Sequence, residues 1–213
     1  MKLVWSPEIA AKAFMDTVKS CELFEGSSVA ELISAMAAGW NAKLIVETWS
    51  RGGVTTTSIG LAVASTHTCG RHVCIVPDQD SKNEYVAAMQ KAGMKAEVII
   101  GEPEESVKGM MIDFLVLDSR KNNYSRIIKE AKFGQRGAVL VCKNAMSDLR
   151  LRNLFDGLSR RIVRSVFLPV GKGLDIAHVA AGENGSGSDN KVKKSRWIRR
   201  VDRRTGEEFV IRK

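Results

Sequence analysis

Two histidines and two cysteines fall within eight residues, His67, Cys69, His72 and Cys74. Imidazole and thiolate are the usual zinc donors, but a His-x-Cys-x-x-His-x-Cys order is not a usual zinc spacing. It reads as core thiols and surface imidazoles. Gly52-Gly53 is the most glycine-rich turn before a helical stretch, yet no Gly-Lys-Ser/Thr follows, so it is not a phosphate-cradling P-loop. No Gly-x-Ser-x-Gly element supports a serine nucleophile. The remaining chemistry rests with ionisable residues at particular strand ends. The elements that place them come first.

Ser6-Pro7-Glu8 has the capping hydroxyl, first-turn proline and first-turn acid of a helix start, and the helix is expected to run to about Phe24. Ser28-x-x-Glu31 is a capping box for a second helix, which Gly39 is placed to end. Apolar runs at 42–47, 71–76, 96–100, 112–117 and 138–142 read as strands, with helices expected at about 55–65, 81–93 and 123–132. Ser81-x-x-Glu84 is the expected cap of the middle one. Nearly all-apolar, β-branched strands alternating with helices imply an α/β fold, a parallel sheet covered on both faces. The last runs, 162–168 and 174–181, follow each other without a helix. They are expected to form an antiparallel edge pair, completing a mostly parallel seven-stranded sheet. His178 alternates with Ile176 and Ala180 in the last run and reads as structural.

In such sheets ligands bind beyond the carboxyl ends of the strands. That selects four segments: 47–55, 76–80, 118–124 and 143–148. Their ionisable members include Glu47, Asp78, Asp118 and Lys143.

The 213 residues carry 33 Lys and Arg against 24 Asp and Glu, a net charge of +9. Residues 191–213 hold ten basic and three acidic groups, a net of +7, so the rest of the chain is nearly neutral. Residues 182–190 are rich in Gly, Ser and Asn and read as a linker. The expected organisation is a domain over 1–181, a linker over 182–190 and a basic tail over 191–213, with a short hairpin possible around Arg203-Arg-Thr-Gly206. Arg and Trp in the tail suit RNA or another acidic macromolecule. They equally suit anionic lipid heads or a solvated basic end. A homodimer is compatible with the chain. No apolar run reaches the roughly 18 residues of a membrane span, and the N-terminus lacks a signal pattern. With four cysteines read as reduced thiols, the expected location is the cytoplasm, or the nucleus through the basic tail.

At the four strand-end segments the chain resembles class I S-adenosylmethionine-dependent methyltransferases, most closely the caffeoyl-coenzyme A type of O-methyltransferase. The residues that carry this are Ile112-Asp-Phe-Leu-Val-Leu-Asp-Ser-Arg-Lys-Asn-Asn-Tyr124 and Leu168-Pro-Val-Gly-Lys-Gly-Leu174. The whole chain, including Trp5-Ser-Pro and Ser195-Arg-Trp-Ile-Arg-Arg200, resembles a plant family known only as a methyltransferase-like domain of unknown function. The resemblance implies a Rossmann-like methyltransferase fold, with Glu47, Gly52, Gly53, Asp78 and Asp118 as the residues toward S-adenosylmethionine. It also exposes departures. Trp49 stands where a glycine is expected, and its indole either fills the cofactor's methionine site or swings to the surface. Val76 stands where an acid would accept ribose hydroxyls, with Asp78 two residues late. Of the three implied ligands of a divalent cation, Asp118 and Asn144 remain as remnants and the middle one is Lys143, placed to pair with Asp118. Arg120 and Lys172 likewise replace acids. The expectation is a methyltransferase-like protein with a degenerate cofactor site and no metal, in a binding or scaffold role, favouring an acidic or phosphorylated ligand. The alternative is an active metal-independent methyltransferase with Lys143 or His67 as base.

Overall fold

The computed structural model describes residues 5–22, 24, 28–95, 97–118, 124–145, 151, 162–180, 197–201 and 208–212. The chain divides into two compact units, Met1–Gly182 and Glu183–Lys213. In the first, the helices are α1 (Pro7–Ser20), α2 (Ser28–Gly39), α3 (Thr56–Thr68), α4 (Gln79–Lys91), α5 (Pro103–Ser106) and α6 (Tyr124–Glu130). Its strands are β1 (Leu44–Thr48), β2 (Arg71–Val76), β3 (Glu97–Ile100), β4 (Met111–Ile112), β5 (Phe114–Asp118), β6 (Lys132–Phe133), β7 (Ala138–Lys143), β8 (Ile162–Leu168) and β9 (Leu174–Val179).

Seven strands form one sheet in the order β3-β2-β1-β5-β7-β9-β8. All neighbours are parallel except β7 with β9 and β9 with β8, which are antiparallel. This is the Rossmann-like methyltransferase arrangement, with the expected edge pair. Strand alternation explains why the runs are apolar on both sides. Leu115 and Leu117 of β5 and Leu140 and Cys142 of β7 join one buried cluster with Ile127 and Ile128 of α6. Phe114, Val116, Val139 and Val141 join the other, with Ile33 and Ala37 of α2 and Leu61 and Ala64 of α3. A third cluster gathers Cys74 and Val76 of β2, Ile59 of α3, Tyr85 and Met89 of α4, and Trp49. The Asp113 carboxylate joins the base of the sheet: Oδ2 accepts from the backbone N–H of Lys43 at 2.8 Å and of Leu44 at 3.1 Å.

Several boundaries differ from the sequence reading. α1 stops at Ser20 rather than near Phe24. α4 starts at Gln79 with Asp78 as its cap, whose carboxylate accepts from Ser81 N–H at 2.7 Å. The expected cap, Ser81, therefore lies inside the helix. The helix expected at about 123–132 is α6, Tyr124–Glu130, and its expected first residue, Asn123, lies outside the described residues, as does Arg120. The second unit pairs β10 (Trp197–Val201) with β11 (Glu208–Arg212) in antiparallel register, Trp197 opposite Arg212 and Val201 opposite Glu208. No helix among the described residues is long and apolar enough to cross a membrane.

Candidate functional site

Two adjoining cavities open at the carboxyl ends of the central strands. The first, about 270 Å³, is lined by Thr48, Trp49, Ser50, Gly53, Val54, Pro77, Glu102, Pro103, Leu117, Asp118, Ile127 and Lys143. The second, about 200 Å³, is lined by Val29, Val54, Thr56, Thr57, Asp118, Lys143, Asn144 and the Val170–Leu174 turn. Val54, Asp118 and Lys143 border both. Gly173 (φ 84°) occupies that turn in a backbone conformation that side chains disfavour.

Asp118 and Lys143 face each other because β5 and β7 are parallel with these residues in register. Lys143 is only 9% exposed. Asn144, at φ 59°, turns its amide back so that Nδ2 donates to Asp118 Oδ1 at 2.9 Å. Asn144 is thus a hydrogen-bond partner of the Asp118 carboxylate that the expected Lys143–Asp118 pairing left out. The donor set does not fit a divalent cation. An ammonium occupies the middle position, and among the described residues no group of three His, Cys, Asp or Glu is arranged to hold a metal. At an effective dielectric near 20, two unit charges ~4 Å apart interact by about 4 kcal/mol, so Lys143 opposes a cation there.

Glu47, one residue before the end of β1, does not line the first cavity and is fully buried. Its Oε1 accepts from the Tyr85 hydroxyl at 2.7 Å and lies 3.0 Å from His72 Nε2. Burial pushes the carboxyl upward. The His72 hydrogen bond and charge, the Lys143 charge and Ser58 outweigh it and hold the pKa at about 2. His72 is therefore a core partner of an acid, not the surface imidazole its sequence suggested. It reaches Glu47 because the parallel register sets Ile45 opposite His72 and Glu47 opposite Cys74.

Trp49 does not swing to the surface. It is 5% exposed and packs edge-on to Tyr85, with ring centroids 5.3 Å apart. The indole forms cavity wall, and its Nε1 has no hydrogen-bond partner among the described residues. A Cβ added at Gly53 would stand 2.7 Å from that nitrogen, so the glycine is what lets the turn pass over the ring. Gly52 is exposed away from the cavity, with its N–H donating to Glu84 Oε1 at 3.0 Å.

Asp78 does not line either cavity. Its carboxylate caps α4, and the Ser81 hydrogen bonds lower its pKa. Val76 is fully buried. His67 is corrected as a candidate base: its Nε2 lies 2.9 Å from Asp16 Oδ2, near the C-terminal end of α3. Ten residues separate it from Thr57 at the cavity, about 15 Å of helix rise. Burial also raises the thiol pKa of Cys21 to about 11, of Cys142 to about 12 and of Cys74 well above its ordinary value. These three are inert core thiols. His178 packs edge-on to Trp40 at 4.6 Å, a structural contact.

Glu102 and Pro103 are cavity residues that the sequence reading missed. They follow β3 and open the four-residue α5, too short to leave a helical pattern. The signal that was present was positional: β3 is also a parallel strand, and its carboxyl end faces the same edge.

Solved structures with this fold include a methyltransferase from Geobacter sulfurreducens, 21% identical, with a TM-score of 0.58 over 81% of this chain and 88% of that one. A Podospora anserina methyltransferase with bound S-adenosylhomocysteine is 15% identical, with a TM-score of 0.56 over 81% and 88%. An O-methyltransferase from Bacillus cereus in complex with S-adenosylhomocysteine is 17% identical, with a TM-score of 0.54 over 84% and 93%. No curated protein matches the chain. Residues 1–213 match the profile of a family described as protein of unknown function, DUF1442, and the chain belongs to that family.

Proposed function

We propose that this protein binds a small molecule on a methyltransferase-like scaffold without transferring a methyl group. The observation that carries this reading is the end of β2. Val76 is buried and apolar, and the nearby carboxylate of Asp78 is committed to the start of α4. Ribose hydroxyls placed there would lose their usual acceptor, at a cost of ~1–3 kcal/mol. Trp49 in the cavity wall and Lys143 at the cation position point the same way. Glu102 is the acid left on the first cavity beside Asp118.

Calorimetric titration of the full chain with S-adenosylhomocysteine tests this. The expected dissociation constant is weaker than ~100 μM, corresponding to less than roughly 5.5 kcal/mol of binding. Low-micromolar affinity would overturn the degenerate-site reading and favour the second one, a metal-independent methyltransferase. The observation behind that second reading is Lys143, an amine that borders both cavities and stands where a base would meet a substrate.

The basic unit at the C-terminus supports a separate proposal, contact with RNA. Removal of residues 191–213 is expected to abolish salt-sensitive RNA association in a filter-binding assay. If the full chain shows no such association near physiological salt, the proposal is dropped.

A further inference from the structure

Antiparallel pairing of β10 with β11 sorts the charged and apolar residues of the second unit. Cross-strand partners share a face of a ribbon, and successive residues alternate between faces. One face therefore carries Trp197 with Arg212, Arg199 with Val210 and Val201 with Glu208. The other carries Ile198 with Ile211 and Arg200 with Phe209. Only the register sets Arg212 opposite Trp197 and puts Phe209 and Ile211 on the reverse face.

The same pairing polarises the ribbon along its length. At the open end Trp197 stands opposite Arg212. In sequence, Arg196 precedes Trp197 and Lys213 follows Arg212, and residues 191–196 add Lys191, Lys193 and Lys194 with no acid. All three acids of the 191–213 segment, Asp202, Glu207 and Glu208, belong to the turn end, where Val201 pairs with Glu208. Positive charge is thus concentrated at the end that holds Trp197, which complements a polyanion.

The two faces select which polyanion. An interfacial membrane element gathers its aromatic and apolar residues on one face. Here Trp197 shares a face with Arg199 and Arg212, while Ile198, Phe209 and Ile211 lie on the reverse. Tryptophan with arginines at neighbouring register positions is instead the combination that takes a base by stacking and its phosphates by charge. Bases in a duplex are stacked on both sides, whereas those of a single strand are free to turn out.

We propose that the open end of the β10–β11 ribbon, on the face that carries Trp197, Arg199 and Arg212, binds single-stranded RNA. Trp197 takes an unpaired base and the two arginines take the phosphates beside it. The inference rests on the RNA reading and adds the form of RNA and the residues that meet it.

Fluorescence anisotropy with the full chain tests this, using a labelled oligouridine of about 12 nucleotides and the same oligomer paired to oligoadenosine. The expected dissociation constant for oligouridine near physiological salt is ~1–100 μM. Trp197→Ala is expected to weaken oligouridine binding at least ~5-fold and duplex binding less than ~2-fold, with Trp197→Phe within ~3-fold of wild type on both. Arg199→Gln and Arg200→Gln remove the same charge from adjacent positions on opposite faces. Arg199→Gln should reduce the slope of log affinity against log salt by about 0.7, and Arg200→Gln by less than ~0.3. If Trp197→Ala unfolds the ribbon, seen as equal loss on both probes, the arginine pair decides. Equal effects of the two arginine substitutions, or oligouridine binding that Trp197→Ala leaves unchanged, would overturn the proposal and leave the RNA reading standing. No salt-sensitive association with either RNA would remove the RNA reading itself, and binding to phosphatidylserine vesicles in its place would assign the ribbon to lipid.

Discussion

Glu47→Gln is expected to lower the unfolding free energy at pH 7 by about 3 kcal/mol and the melting temperature by roughly 6–12 °C. The carboxylate is fully buried and held by the Tyr85 hydroxyl and His72, with the Lys143 charge acting from the cavity floor. Its pKa, about 2 against an ordinary 4.5, measures how much better the fold treats the anion than water does. One pKa unit corresponds to 1.36 kcal/mol, which gives the figure above. The sign follows from linkage. A depressed folded-state value means that the stabilisation is complete above the unfolded pKa near 4.5 and disappears as pH falls through about 2. Glutamine keeps the shape and can still accept from Tyr85, but it removes the charge opposite a buried imidazole and offsets nothing at Lys143. Urea denaturation of both chains at pH 7 checks the size. The same measurement between pH 5 and 2 checks the origin, because the variant should lack this part of the wild-type slope. A second substitution, Lys143→Met, should recover part of the loss, because the two charges are coupled. A variant within about 1 kcal/mol of wild type would show that the cluster is not a stabilising one.

The same cluster shows what a sequence discloses and what it withholds. The inner strands β1, β2, β5 and β7 are legible because each is a short, nearly all-apolar run, and burial on both faces leaves little polar alternation to confuse them. The edge pair at 162–168 and 174–179 is legible because nothing between those runs has room for a crossover helix. Lys143 and Asp118 are legible as neighbours, because both end parallel strands of one sheet. The partner of Glu47 is not. His72 is 25 positions away, and only the strand register brings the imidazole to the acid. Asp78 misleads for a different reason. A carboxylate just before a helix can serve a ligand or the helix's own N–H groups, and here the local bond to Ser81 prevails. His67 misleads because the helix is expected to stop near 65, whereas it runs on to Thr68 and carries the imidazole to the end away from the cavity. Glu102 is missed because a four-residue helix has no periodicity to read.

Lys143→Asp carries the charge argument furthest. In metal-free buffer this variant should be less stable than wild type by at least ~2 kcal/mol, since it sets a third acid near Glu47 and Asp118 and removes the charge that helps hold Glu47 ionised. Lys143→Asn, which removes the positive charge without adding a negative one, should fall between the two. Adding Mg²⁺ or Mn²⁺ should then separate them. The introduced carboxylate, Asp118 and the Asn144 amide oxygen, freed by a flip of the amide, would form an oxygen donor set that a hard divalent cation accepts. A ligand present at 100 times its dissociation constant stabilises by about 2.7 kcal/mol, or roughly 5–10 °C for a chain of this size. Wild type should shift by less than ~2 °C under the same conditions, because its ammonium opposes the ion. The Lys143→Asn chain should resemble wild type, since a single carboxylate with neutral amides holds such an ion too weakly. If Lys143→Asp melts at the same temperature with and without the cation, the strand ends do not retain a cation geometry. The identity of residue 143 would then not be what separates this site from a metal-dependent one. If all three chains shift equally, the cation binds elsewhere, and the charge at the junction of the two cavities has no bearing on it.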